Sequence, residues 1–124
     1  MHFDPRTQAA LRAVGLDTAD LRRASELVVE ATDDDAATVA AFFADREVVH
    51  SDMETAHSAG DVREHAVDYC DLYTHADEIR GYLRFDAWGV PVEGARPLDD
   101  DRVELTLGPT VDDRVTFATD PEAL

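Results

Sequence analysis

Two periods divide the chain. Up to about residue 45 apolar residues recur every three or four positions, and from Tyr82 onwards they alternate with polar ones. The first spacing is that of one helical face, the second that of a half-buried strand. Asp4-Pro5 supplies an N-cap and a first-turn proline, which predicts a short helix to about Val14 that Gly15 ends. Asp17 opens a second helix, in which Leu21, Ala24, Leu27, Val28 and Ala31 share a face. The polar run Thr32-Asp33-Asp34-Asp35 interrupts that face, and Thr32 with Asp35 has the form of a capping box. A third helix is therefore expected, carrying Val39, Phe42 and Phe43 and stopping near Asp45.

Glu47 to Met53 changes character: Val48-Val49-His50 is β-branched and short, and reads as a strand. Ser58-Ala59-Gly60 reads as a loop. For residues 61–80 two patterns compete. Asp61 with Glu64 makes a capping pair, Val62, Ala66, Tyr69, Tyr73, Ala76 and Leu83 fall at helical spacing, and Gly81 is a natural stop, so a helix is expected. The rival is a hairpin that sets Cys70 and Leu72 across from Leu83 and Phe85. Beyond it Leu83, Phe85 and Ala87, then Val90 and Val92, then Val103, Leu105 and Leu107, then Val115 and Phe117 predict a C-terminal antiparallel meander. Glu93-Gly94, Gly108-Pro109 and Asp112-Asp113 read as its turns. Helices first and strands last imply an α+β fold, with the N-terminal helices packed on one face of the meander. No linker, repeat or low-complexity tract divides it, so residues 1–124 are expected to form one domain.

Charge changes the picture more than length does. The chain has 28 acidic residues against 11 basic ones, a formal net charge of −17, and every basic residue is Arg. The acidic residues are spread through all segments rather than gathered in a tail, which implies a surface adapted to very high salt. Such self-repulsion needs strong screening, and the Debye length falls to about 3 Å at 1 M salt. Under those conditions net charge ceases to predict partners. What speaks against nucleic acid is the absence of a motif or basic patch, Arg22-Arg23 being the only basic doublet. Cys70 is the single cysteine, so no internal disulfide forms. No signal-peptide pattern is visible, and no apolar run approaches the roughly 18 residues that span a bilayer. A soluble, cytoplasmic protein is expected.

The run from Asp35 onward, with AAFFADREVVHSD, a following helix and a terminal meander, resembles the nuclear-transport-factor-2-like fold in the order of its elements. That resemblance implies a curved sheet wrapped around helices, with a pocket at the open end of the cone. The Lys-free, Asp-rich chain, with stretches such as HSDMETAH and YLRFDAWGV, also resembles small uncharacterised proteins of halophilic archaea. Neither resemblance carries a catalytic residue over.

The candidate chemistry centres on residues 50–57. His50 and Asp52 lie two apart on a strand and share a face, so they could ligate one ion, with His57, His65 or His75 as third ligand. A zinc set of His57, His65, Cys70 and His75 has suitable ligand types, but one helix over 61–80 would not bring them together. No HExxH, EF-hand loop, GxGxxG, P-loop or GxSxG is present, so no cofactor or metal is expected. A general base is the sharper idea: His50 with Asp52 or Asp86, facing a pocket lined by Tyr69, Tyr73 and Trp88. The bland alternative makes those aromatics core and rim. A homodimer stays open as well, through the outer sheet face or the helices, because Pro91 and Pro97 discourage strand addition. The balance favours a non-enzymatic binding or interaction module, with a small isomerase- or hydrolase-like pocket enzyme as the alternative.

Overall fold

The computed structural model describes residues 2–53, 63–108 and 114–124. Helix α1 spans Pro5–Ala13, with the Asp4 carboxylate accepting from the Thr7 N–H and Gly15 at φ 101° just past the end. Helix α2 spans Thr18–Ala44. Asp17 and Asp20 close its start as a reciprocal capping box, at 2.9 and 3.0 Å. The separate second and third helices expected from the sequence are thus one. The reason lies in the side chains of the polar run. Thr32 turns inward and donates its hydroxyl to the Val28 carbonyl one turn back, so it does not cap anything. The buried stripe Leu21, Ser25, Thr32, Ala36, Val39, Phe43 then continues unbroken past Asp33 and Asp34, which face solvent.

Six antiparallel strands follow: β1 Val48–Ser51, β2 Arg63–His75, β3 Glu78–Phe85, β4 Gly89–Asp99, β5 Arg102–Leu107 and β6 Arg114–Ala118. A 3₁₀ turn, Pro121–Ala123, ends the chain. The architecture is α+β, as the order of the two periods implies. Each strand pairs with the next, and β6 returns to β1 through His50↔Ala118 and Ser51↔Phe117, closing a barrel. The closed order leaves no terminal edge strand among these six, although β1 covers only Arg63–Ala66 of the longer β2.

The described part of 61–80, from residue 63 on, does not form the expected helix. Residues 63–75 are β2, and the hairpin alternative holds, with Cys70 opposite Leu83 and Leu72 opposite Gly81 rather than Phe85. A bulge between Val67 and Tyr69 explains why the strand was hidden. Before it His65 and Val67 point inward; after it Cys70 and Leu72 do. The shift of parity erases a single period of two and leaves a chance helical spacing. Gly81 is no helix stop either. It sits mid-strand, where an added Cβ would lie 1.9 Å from the Asp71 carbonyl oxygen. Likewise Glu93-Gly94 is not a turn but a bulge inside β4. The β2–β3 turn places Ala76 at φ 55°, a left-handed backbone in a residue with a side chain.

The core fills the barrel. Leu83, Phe85, Val90, Val92, Val103, Leu105, Leu107, Val115 and Phe117 come from the strands, and Val39, Phe42 and Phe43 from the end of α2. Phe43 meets Phe117 edge-on at 5.4 Å between ring centroids. Burying each such ring stabilises the fold by about 2–3 kcal/mol relative to exposure. The rest of α2 runs along β2 and β4, where Thr74 donates its hydroxyl to Asp33.

Candidate functional site

Strand β1 sorts the suspected residues by parity. Val49 and Ser51 are buried, whereas His50 is half-buried and Asp52 exposed, so the last two share a face as expected and it is the outer one. Asp52 extends the ladder: its N–H donates to the Thr116 carbonyl at 3.2 Å, and its carboxylate accepts from the Thr116 N–H at 2.9 Å. Asp86 is exposed in the turn after β3, and its N–H donates to the Ala66 carbonyl. Among the described residues no hydrogen bond or ion pair joins His50, Asp52 and Asp86. Tyr69 and Tyr73 stand outward on β2, while Trp88 lies half-buried against Phe85, at 5.0 Å between centroids. The six residues therefore do not line one pocket.

The metal ligands separate in the same way. His65 is buried and Cys70 half-buried on the inner side of β2; His75 is exposed at its end, about 30 Å from His65 at the strand's rise per residue. His57 lies outside the described residues. Among those residues no group of three or more His, Cys, Asp or Glu side chains could hold a metal ion. Burial, with the Asp71 charge adding to it, pushes the Cys70 thiol up to about 12.

What the barrel does bring together is Ser51 and His65. Val49 pairs with His65 across β1 and β2, which sets Ser51 diagonally next to the imidazole. Ser51 Oγ and His65 Nε2 share a hydrogen bond of 2.7 Å, and Ser51 Oγ also accepts from the Met53 N–H at 3.3 Å. The imidazole stacks on Phe85, with centroids 4.6 Å apart and 20° between planes. Trp88 and Phe117 close it in at 6.0 Å each. The serine is fully buried and His65 is 9% exposed. A Ser–His bond of this length has the geometry of a nucleophile and its base. Its surroundings are those of a satisfied polar pair in a filled core. Sequence reasoning took the flanking His50 and Asp52 and passed over Ser51. No signal within the strand could have chosen it, because Val48 and Val49 are both β-branched and lie on opposite faces.

Among the described residues, clefts open on two parts of the surface. One, of about 300 Å³, lies on the outer face of β4, β5 and β6 between Ala95, Arg96, Glu104, Thr106 and Arg114, with Arg96 Nε 3.0 Å from Glu104 Oε1. The other, of about 420 Å³, lies beside α2 between His2, Arg22, Glu26, Val29 and Glu30. Neither includes the Ser51–His65 pair or the six suspected residues. No helix of the described residues is long and apolar enough to cross a membrane.

Residues 1–122 match a family of unknown function, DUF7532. The chain belongs to that family. No curated protein and no solved structure matches this DUF7532 chain. The family match brings no catalytic or binding residue with it, so the functional reading rests on the geometry.

Proposed function

We propose that this DUF7532 protein is a salt-adapted, cytoplasmic, non-enzymatic interaction module that works through the outside of its barrel. The observation that carries the reading is the burial of the Ser51–His65 pair, at 0% and 9% exposure. His65 of that pair packs against Phe85, Trp88 and Phe117, and α2 adds Phe42 and Phe43 to the same core cluster. A nucleophile must touch its substrate, and Ser51 is fully buried. The surplus of Asp and Glu, with Arg as the only cation, supports salt adaptation, and the free Cys70 fits a reducing compartment.

The 2.7 Å Ser51–His65 bond is the observation that favours the enzyme reading instead. A fluorophosphonate probe separates the two. The module reading expects no adduct on Ser51 in the folded protein, and stoichiometric labelling at that residue overturns it. Salt adaptation has its own measurement: the melting temperature should rise steadily with KCl, and a flat or falling curve ends that part of the proposal.

A further inference from the structure

All three tyrosines of the chain stand on one face. Tyr69, Tyr73 and Tyr82 are 43%, 64% and 36% exposed, on the outer side of the β2–β3 hairpin. Tyr is rarely left this open in quantity, and Tyr with Arg is the composition that interfaces favour over ordinary surface. Arg is present too, in a strict alternation. Along β2 the outward residues are Tyr69, Asp71, Tyr73 and His75; across from them on β3 stand Arg84, Tyr82, Arg80 and Glu78, in the same order. The hairpin thus holds four cross-strand pairs: Tyr–Arg, Asp–Tyr, Tyr–Arg and His–Glu. Tyr82 is braced from beneath, since its ring lies over Gly89, where an added Cβ would meet the hydroxyl at 2.4 Å.

We infer that this face docks a second copy of the chain, through a two-fold axis running along the strands between β2 and β3. The geometry follows from symmetry. Rotating the face by 180° about that axis lays β2 of one copy over β3 of the other without shifting it along the strand. Each residue then meets the partner copy's version of its own cross-strand neighbour. The alternation makes every such meeting favourable. Tyr69 and Tyr73 face guanidinium groups, Asp71 faces a phenolic hydroxyl, and His75 faces a carboxylate. Two copies give four Tyr–Arg contacts, each a cation–π pair that holds in high salt better than a surface ion pair does. Aligned sheets pack face to face with their strands within about 30° of one another, which keeps the pairs in reach around the central Asp71 and Tyr82. The closed strand order leaves no terminal edge strand, which turns association towards the faces. Single-stranded nucleic acid also uses exposed aromatics with Arg. Here Asp71 sits between the two β2 tyrosines and Glu78 pairs with Arg80 at 3.2 Å, which places carboxylates where phosphates would run.

This inference rests on the interaction-module reading and names its partner. Sedimentation equilibrium of the full chain in molar KCl, from about 10 µM to about 1 mM, tests it. The wild type should be a dimer in that range. Tyr73→Ala and Arg80→Glu should each weaken association at least tenfold, while Tyr73→Phe, which keeps the ring, should associate like the wild type. Both residues are solvent-facing, so circular dichroism should be unchanged, and urea midpoints should match at concentrations low enough for the wild type to be monomeric. A wild-type monomer throughout overturns the inference, as does a dimer that tolerates both disruptive variants, or a monomer whose tyrosine fluorescence is quenched by an oligothymidylate. A monomer leaves the non-enzymatic reading standing, because that one falls on Ser51 labelling and not on mass.

Discussion

The buried Ser51–His65 pair makes the sharpest claim on stability, and Ser51→Ala is the perturbation that isolates it. The hydroxyl serves two buried partners, His65 Nε2 at 2.7 Å and the Met53 N–H at 3.3 Å. Depriving a buried polar group of one partner costs about 1–3 kcal/mol. The Met53 bond is long and adds little, and deleting the hydroxyl also removes a group that had to be desolvated. A net loss of about 2 kcal/mol follows. His50→Ala is the matched control one residue away: its side chain is half-buried and makes no hydrogen bond, ion pair or ring contact among the described residues. It should stay within about 0.5 kcal/mol of the wild type. Urea unfolding in molar KCl reads both. With a slope of about 1–3 kcal/mol per molar urea, the Ser51→Ala midpoint should fall by roughly 1 M at unchanged slope. An unmoved Ser51→Ala midpoint would refute the reasoning, and so would a His50→Ala variant that falls as far.

Glycine and alanine positions in the sheet and its β2–β3 turn predict opposite signs. Gly81→Ala drives a Cβ into the Asp71 carbonyl and should cost about 3 kcal/mol, whereas Gly94→Ala, which meets only the Thr106 side chain at 3.3 Å, should cost under about 1 kcal/mol. Ala76→Gly relieves the left-handed backbone and should add about 0.5–1 kcal/mol, all three read from urea midpoints. Cys70 should resist iodoacetamide at neutral pH while folded, and alkylation at the rate of a free thiol would contradict its burial. Its raised pKa means the folded state holds the proton more tightly. The Cys70 contribution is therefore intact below the usual thiol pKa of 9 and lost as pH rises towards 12, which a Cys70→Ala comparison across that window measures.

The local and the tertiary divide cleanly in this protein. Both helix starts were legible because Asp4, Asp17 and Asp20 act through bonds that span three residues, and the later strands because a half-buried sheet imposes a period of two. The pairing of His50 with Asp52 on one face was legible for the same reason. Which face that was depended on a strand far along the chain, since β6, at Phe117 and Ala118, had to return to β1 before inside and outside existed. Only the tertiary structure decided that Thr32 would bond backward and let α2 continue, that a bulge at Val67 would switch the parity of β2, and that Gly81 would take the place of a side chain. The dyad and the tyrosine face arise at the same level. Ser51 and His65 are fourteen residues apart, and Tyr69, Tyr73 and Tyr82 share a face only because the hairpin pairs in this register. Spacing along a chain reports what neighbours within a turn can do, and the closure of the barrel determines which of those neighbours ever meet.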